Sequence, residues 1–256
     1  MSAVGRAPGL PPAFRLVALG RVESTNDAAR ELAREGAEDG TLVWALEQTK
    51  GRGRQGRAWA SPPGNLYCSL VLRPDCVLAR ASELSFLAAL AVGGALGALM
   101  PPLTDLRYKW PNDVLLNGRK AAGILLESEV GAGGALAFLV LGVGVNVTSS
   151  PRDAAFPATS MREEGGGAAE AADVLEAFAR QFLAWTDRWL DEGFAPVRAA
   201  WLTRAWRLGE RLRVELGDGA AEGTFRGLSA EGLLELEQGG AVRRIAAGDV
   251  RAARAA

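Results

Sequence analysis

Residues 49–65 put the tightest limit on what this chain can fold into. Over 51–57 three glycines (Gly51, Gly53, Gly56) are interleaved with three arginines (Arg52, Arg54, Arg57), and Trp59, Pro62, Pro63 and Gly64 follow at once. Glycine lets the backbone reach positive φ and approach a ligand closely, and each guanidinium presents a planar fork of donors suited to phosphate or carboxylate. Two nucleotide-binding signatures are imitated here. Gly51-Arg52-Gly53-Arg54-Gln55-Gly56 satisfies G-x-G-x-x-G after the apolar run Thr41–Leu46, but that fingerprint has meaning only where a helix opens behind it. Pro62, Pro63 and Gly64 forbid a helix of useful length. The glycines also fit G-x-x-x-x-G-K-[ST], except that Arg57-Ala58 stand where lysine and a hydroxyl are required. Rossmann and P-loop architectures are excluded, and the segment reads as an unstructured, anion-gripping loop between two strands.

The flanking pattern supplies the rest of the fold. A first strand is expected at 14–19. Ser24 and Asp27 then form a capping box ahead of a helix reaching Ala33. Strands at 41–47 and 66–72 flank the basic loop, and 81–99 is apolar enough for a buried helix stopped by Pro101-Pro102. Segments 106–110 and 113–116 pair across Pro111-Asn112, and Asn117-Gly118 is a strong hairpin signal. A second hairpin joins 124–129 to 135–147. The polar excursion 148–169 follows, with 161–169 expected to be a mobile surface loop. An amphipathic helix over 173–190 turns Val174, Leu175, Phe178, Phe182, Leu183, Trp185 and Trp189 to the core, and a shorter helix covers 196–206. From Leu208 the texture changes to short alternating runs (211–216, 223–228, 233–236, 242–245), the pattern of a small all-β barrel. The predicted fold class is α+β, a mixed, largely antiparallel sheet packed with helices over 1–206, then a β domain over 207–256.

Charge and composition narrow the function. A formal net charge of -1 argues against general nucleic-acid binding, so the arginine cluster reads as a local site. No apolar run reaches the roughly 18 residues that span a bilayer, and residues 1–12 lack the apolar core of a signal peptide. A soluble, cytoplasmic protein is expected. Cys68 and Cys76 fit neither a zinc site nor a disulfide framework and read as reduced thiols. The chain contains no histidine, which excludes Ser-His-Asp and Cys-His nucleophilic schemes and histidine-ligated metals. Chemistry must rely on Lys, Arg, Asp, Glu, backbone dipoles and the substrate's own nucleophile.

Three further segments carry chemistry. Lys109-Trp110-Pro111-Asn112-Asp113-Val114 groups a cation, an amide and a carboxylate at a strand end, Arg119-Lys120-Ala121-Ala122-Gly123-Ile124-Leu125 adds a cation after the Asn-Gly turn, and Gly142-Val143-Gly144-Val145-Asn146-Val147 is a strand that admits close approach. Taken in order with Ser24-Thr25-Asn26 and Gln48, these resemble the motif set of biotin–protein ligases from about 14 to 147. The C-terminal segment resembles, more weakly, that family's small SH3-like domain. The resemblance implies a class II synthetase-like catalytic domain, an SH3-like β-barrel and a two-step ligase reaction. Biotin carboxylate attacks the α-phosphate of ATP, giving biotinyl-5'-AMP and pyrophosphate, and a lysine of a biotin carboxyl carrier protein, or of the carrier domain of a biotin-dependent carboxylase, then displaces AMP. Neither step needs an enzyme nucleophile. The first must overcome repulsion between a carboxylate and a polyphosphate, work suited to fixed cations and Mg2+. No nucleic-acid or membrane partner is implied, and a homodimer is left open.

The resemblance also implies roles by position. Ser24, Thr25, Asn26 and Gln48 contact the biotin head group, whose polar ureido ring needs matched donors and acceptors. Arg52, Gly53 and Arg54 fold over biotin and its adenylate, and Arg57 is a further phosphate contact. Lys120 lies near the biotin carboxylate and α-phosphate, and Lys109 is a second cation on the polyphosphate. Trp59 packs on adenine, with Asn112 and Asn146 around the nucleotide. Lys120, Lys109, Arg54 and Asp113 form the catalytic set, in which Asp113 orients the lysines, contacts metal or accepts the acceptor amine's proton; no metal ligand is assigned. Alone, Ser24 is an N-cap, Lys120 a solvated hairpin charge, Trp110 a core aromatic and the 142–147 glycines a packing feature. Only the joint order of motifs overrides these plainer readings, and Trp110 stays structural. Lys50 replaces the family's usual small residue, and Ser24 stands too early for the winged helix-turn-helix of some members, so a DNA-binding repressor is disfavoured. A lipoate–protein ligase and a non-catalytic biotin- or nucleotide-binding regulator are the rivals. Gln48 and the arginine loop favour biotin over lipoate, while Lys109, Asp113 and Lys120 together favour catalysis over passive binding.

Overall fold

Apolar runs of two kinds build the larger sheet. Strands buried on both faces read as continuous hydrophobic stretches, while edge strands alternate. The computed structural model of the chain describes residues 6–74, 78–131, 133, 135–217 and 219–253; Cys76 and Asp218 lie outside them. Seven strands, β1 (Arg15–Val22), β2 (Thr41–Gln48), β3 (Leu66–Leu72), β4 (Leu106–Lys109), β5 (Asp113–Leu116), β6 (Arg119–Val130) and β7 (Leu136–Val145), are ordered β1-β2-β3-β7-β6-β5-β4. Central strands β2, β3 and β7 are buried over most of their length, whereas β1 is an alternating edge. Among the described strand pairs only β1 and β2 run parallel. A parallel pair needs a crossover, which helix α1 (Thr25–Arg34) supplies.

Helices cover both faces. On one, Ala29 and Ala33 of α1 pack on Val43, Val71, Phe138 and Val140. The other carries the main core, built on α3 (Glu83–Leu99) and α4 (Ala171–Glu192). The expected buried helix begins at Glu83, with a separate turn, α2 (Leu78–Ala81), before it. Buried Glu83 accepts a hydrogen bond from Trp189 Nε1 and pairs with Arg80 at 3.2 Å, which compensates its charge. Val174, Leu175, Phe178, Phe182 and Trp189 are buried as expected, while Leu183 and Trp185 are half-buried. The helix expected over 196–206 is α5 (Phe194–Leu202). It stops early because edge strand β4 claims the next backbone: Tyr108 N donates to Arg204 O (2.8 Å) and Trp206 N to Tyr108 O (2.7 Å).

Beyond residue 208, β8 (Arg211–Leu216), β9 (Gly219–Leu228), β10 (Leu234–Gln238), β11 (Ala241–Ile245) and β12 (Asp249–Ala252) form an antiparallel sheet ordered β11-β10-β9-β8-β12. The architecture is consistent with an SH3-like domain, but the expected closed barrel is not formed by hydrogen bonds. Among the described residues no pairing joins β11 to β12. Trp110, left structural on sequence grounds, is buried and donates to Gly232 O at 3.2 Å, pinning this sheet to the core.

The segment 161–169 runs along the surface and is tied down at Met161 and Glu164. Met161 is fully buried and its N–H donates to Asn146 O at 2.9 Å. Glu164 accepts from Asn117 Nδ2 (2.7 Å), Arg119 Nη2 (2.6 Å) and Thr159 Oγ1 (2.6 Å).

Candidate active site

The basic segment closes on itself as a small hairpin, which corrects the expectation of an unstructured loop. Trp59 N donates to Gly51 O (2.8 Å), Arg52 bridges Ala58, and Gly53 N donates to Arg57 O (2.7 Å). Its tip is a single 3-10 turn over Arg54–Gly56. Gly51 is sterically required, since a Cβ there would stand 2.4 Å from Ser61 Oγ and 2.6 Å from Trp59 O. Gly56 takes φ 69, which a side chain would resist.

Under the hairpin lies a cavity of about 660 Å³, within the usual range for small-molecule sites. Its walls are the N-terminus of α1, the β6–β7 floor, the excursion 151–158 and β12. Every residue singled out in the sequence as a site residue lines it, although several are engaged differently from expectation.

One end is a polar floor. Ser24 caps α1, its Oγ 3.4 Å from Asp27 N. Thr25 donates from its backbone N (2.8 Å) and Oγ1 (3.0 Å) to Gln48 Oε1, and Gln48 Nε2 donates to Ser61 Oγ (2.9 Å). Ser69 Oγ lies 2.8 Å from Thr25 Oγ1 and 2.6 Å from Asn26 Oδ1, and Asn26 Nδ2 donates to Glu127 at 2.7 Å. Gly142 has no Cβ because the Asn26 carboxamide occupies that space.

Arg52 stands beside this floor with its guanidinium held by carboxylates rather than presented to an anion. Both terminal nitrogens donate to Asp27, one at 2.6 Å, and Nη2 also reaches Glu127 at 3.1 Å. Arg30 bridges the same two carboxylates at 3.1 Å each. Hydrogen bonding from Arg52 holds the Asp27 carboxyl below the usual carboxylate range. Partial burial pushes Glu127 up, but Asn26 and Arg52 outweigh it and its net shift is downward. The capping box is therefore half formed: Ser24 accepts from Asp27 N, while the Asp27 carboxylate turns to the arginines.

The opposite end is cationic. Asp113 is buried between Lys109 Nζ (3.3 Å) and Lys120 Nζ (2.5 Å). The β4–β5 register sets Lys109 opposite Asp113. Lys120 is fixed by its backbone, donating to Pro157 O (2.8 Å) and accepting from Thr159 N (3.0 Å). Burial pushes the Asp113 pKa up, yet the two ammonium groups outweigh it and leave it lowered. Burial lowers Lys109, opposed by Asp113. The Phe156 ring lies 4.8 Å from Lys109 Nζ and edge-on to Trp206.

Three residues expected on the nucleotide are engaged otherwise. Asn112 Nδ2 donates to Ile124 O and Asn146 Nδ2 to Thr159 O at 3.0 Å, so both amides brace backbone. The Trp59 indole packs on the backbone of Gly123 and Gly144, where a Cβ would come within 2.9 and 2.7 Å of the ring, and Lys120 Nζ sits 5.2 Å from the ring centre. Its Nε1 is buried without a protein acceptor among the described residues. Arg54 and Arg57 reach the C-terminal sheet: Arg54 Nη1 donates to Gly248 O (3.4 Å) and Arg57 pairs with Asp249 (2.6 Å). Burial lowers the Arg54 pKa, opposed by Asp249 and Asp113.

Sequence reasoning missed Glu127, Ser69, Phe156 and Asp249, and took Asp27 only as a cap. The one available signal was a pair of acids, Glu127 and Glu129, directly after the apolar run Ile124-Leu125-Leu126.

The chain belongs to the biotin/lipoate A/B protein ligase family, whose model matches residues 10–203. A second model, the biotin protein ligase C-terminal domain, matches 208–251. Among relatives, a biotin--[acetyl-CoA-carboxylase] ligase of Paracoccus denitrificans is 44% identical over 223 residues, covering 85% of this chain and 92% of the relative. A bifunctional ligase/repressor BirA of Bacillus subtilis is 35% identical over 236 residues, covering 90% and 71%. The biotin protein ligase of Aquifex aeolicus in complex with biotin and ATP superposes with TM-score 0.80 at 28% identity, covering 93% of this chain and 99% of that one. The Leishmania major enzyme in complex with biotinyl-5-AMP gives 0.59 at 27% identity, covering 93% and 100%.

Proposed function

We infer that the chain is an ATP-dependent biotin ligase, which forms biotinyl-5'-AMP and transfers biotin to a carrier domain of a biotin-dependent carboxylase. The observation that carries this reading is the cavity's polarity. A hydrogen-bonded floor of Thr25, Gln48 and Ser61 lies at one end and the Lys109–Asp113–Lys120 cluster, with one positive charge in excess, at the other. A ureido ring finds donors and acceptors at the first, and a carboxylate meeting an α-phosphate finds fixed cations at the second. Such a floor suits biotin better than the apolar ring of lipoate.

In the first step a biotin carboxylate oxygen bonds to the α-phosphorus and pyrophosphate leaves. In the second the acceptor amine attacks the acyl carbon, loses a proton and releases AMP. Lys120 neutralises charge where carboxylate and phosphate meet, Lys109 acts along the polyphosphate, and Arg54 closes over the product. Asp113, a weakened base between two ammonium groups, orients the lysines rather than taking a proton. Ser24, Thr25, Asn26 and Gln48 form the head-group floor, and Trp59 walls the acyl chain instead of adenine.

The residues present do not build a Mg2+ cage. Among the described residues no group of three or more His, Cys, Asp or Glu side chains is placed to hold a metal ion, and Asp113 is taken by lysines. In this reading Mg2+ would be bound with the triphosphate and its own waters rather than in a protein cage, and would supply charge neutralisation there. No helix among the described residues is long and apolar enough to cross a membrane, and a cytoplasmic enzyme with its domain boundary near 206 completes the proposal. Biotin- and ATP-dependent pyrophosphate exchange without acceptor tests it. Tight biotin binding with no exchange under Mg2+ refutes catalysis, and lipoate outcompeting biotin moves the chain to the sister activity.

A further inference from the structure

We propose that Asp27 and Glu127 are positioning residues for retention of the adenylate: they grip Arg52 and so hold the 51–59 hairpin shut over the cavity. The inference rests on the ligase reading above and adds residues that the sequence motifs do not carry.

Four observations support it. Among the described residues, Arg52 is the only arginine of the hairpin ion-paired to the catalytic domain, because Arg57 pairs with Asp249 and Arg54 reaches Gly248, both at the C-terminal sheet. The grip is made by both terminal nitrogens at once, Nη1 and Nη2 on Asp27 and Nη2 also on Glu127. Such fork geometry is directional, unlike a point-charge contact. The side chains of Arg52 and Glu127 are about one-quarter exposed (26% and 25%), so solvent screens their pair less than a surface pair.

The third observation concerns reversibility. Arg30, on α1, bridges Asp27 and Glu127 from within the domain, and Asn26 donates to Glu127. When Arg52 withdraws, both carboxylates keep partners, so opening strands no uncompensated charge. The socket is preformed and the guanidinium is its removable part.

Fourth, the socket is joined to the substrate floor. Gln48, Thr25, Ser69, Asn26 and Glu127 form a continuous polar chain ending on Arg52. Residues that meet the head group thus share a hydrogen-bond network with the residue that latches the lid.

The test uses the complete chain. Biotinyl-5'-AMP is formed in situ from biotin, ATP and Mg2+, its release is followed after an excess biotin chase, and tryptic cleavage at Arg52, Arg54 and Arg57 reports hairpin opening. Glu127→Gln and Asp27→Asn should each release the adenylate roughly tenfold faster, the effect of losing one charge-assisted hydrogen bond. Both should also speed cleavage within 52–57 relative to sites elsewhere. In an Arg52→Gln background neither should add anything, because both act through Arg52. Release and cleavage unchanged from wild type overturn the proposal, as does equal acceleration with and without Arg52. If Glu127→Gln fails to fold, Asp27→Asn, at a side chain 41% exposed, carries the same comparison. A wild-type chain that forms no adenylate refutes the ligase reading instead, and cleavage still judges the latch.

Discussion

Two clusters of cations and carboxylates differ in their net charge: one stands behind the head-group floor and reaches the cavity only through Arg52, while the other lines it with Lys109, Asp113 and Lys120. At the head-group end, Arg52, Arg30 and Arg34 meet Asp27, Glu127 and Glu129, three charges of each sign. At the other, Lys109 and Lys120 share one carboxylate, Asp113. A balanced set satisfies itself and fixes geometry, whereas an unbalanced set retains field for a ligand. One arginine of the loop that reads as an anion clamp in the sequence, Arg52, is therefore a fastener. The lysine that looked like a solvated turn residue sits where anionic charge is wanted.

The largest expected effect breaks the unbalanced cluster. Lys120→Ala should lower pyrophosphate exchange by about 10²- to 10³-fold with the melting temperature nearly unchanged; exchange near wild type would make the excess charge irrelevant. Asp113→Asn sharpens the comparison through pH. Burial already lowers Lys109 and Asp113 opposes it, so without that carboxylate Lys109 should discharge at lower pH. The alkaline limb of the exchange rate should then move toward neutrality, and an unmoved limb would show that Lys109 charge is not required.

Beyond its effect on adenylate release, the balanced cluster should appear in stability rather than in the exchange rate. Asp27 and Glu127 carry lowered native pKa values, so the unfolded chain binds more protons at acid pH. Their stabilisation is complete above the unfolded values, about 4 to 4.5, and drains as pH falls through the native ones. Urea unfolding of Glu127→Gln should lose stability less steeply than wild type between about pH 5 and pH 3; identical slopes would place the grip elsewhere. The smallest effect belongs to Asp249→Asn, because the Arg57 side chain is 49% exposed. Such pairs contribute up to about 1 kcal/mol, so adenylate release should quicken at most about fivefold, and less so at high salt, as stopped-flow measurement would show.

Local order in the fold was legible because it is local. The Asn117-Gly118 turn, the continuous runs of β3 and β7 and the proline barrier after Trp59 each act within a few residues. The cavity residues were legible through ordered motifs. Their partners were not, since Asp27 meets Glu127 through Arg30 and Arg52 across about a hundred residues of chain, and Arg57 finds Asp249 far beyond its own domain. Asn112, Asn146 and Trp59 show the same limit in another form. A polar or aromatic side chain in a motif advertises a partner but not whether that partner is a ligand or the chain's own backbone, and in all three the backbone is engaged.

The hairpin's glycines are not equivalent, and that has a practical use. Gly51 has no room for a side chain and Gly56 has an unsuitable φ, but Gly53 sits at φ -108 with its nearest would-be neighbour, Arg57 O, at 3.7 Å. A cysteine placed there can carry a fluorophore on the moving part itself. Position 53 lines the cavity, so a label there offers an optical reporter of hairpin opening and closing, read in the chain without substrate.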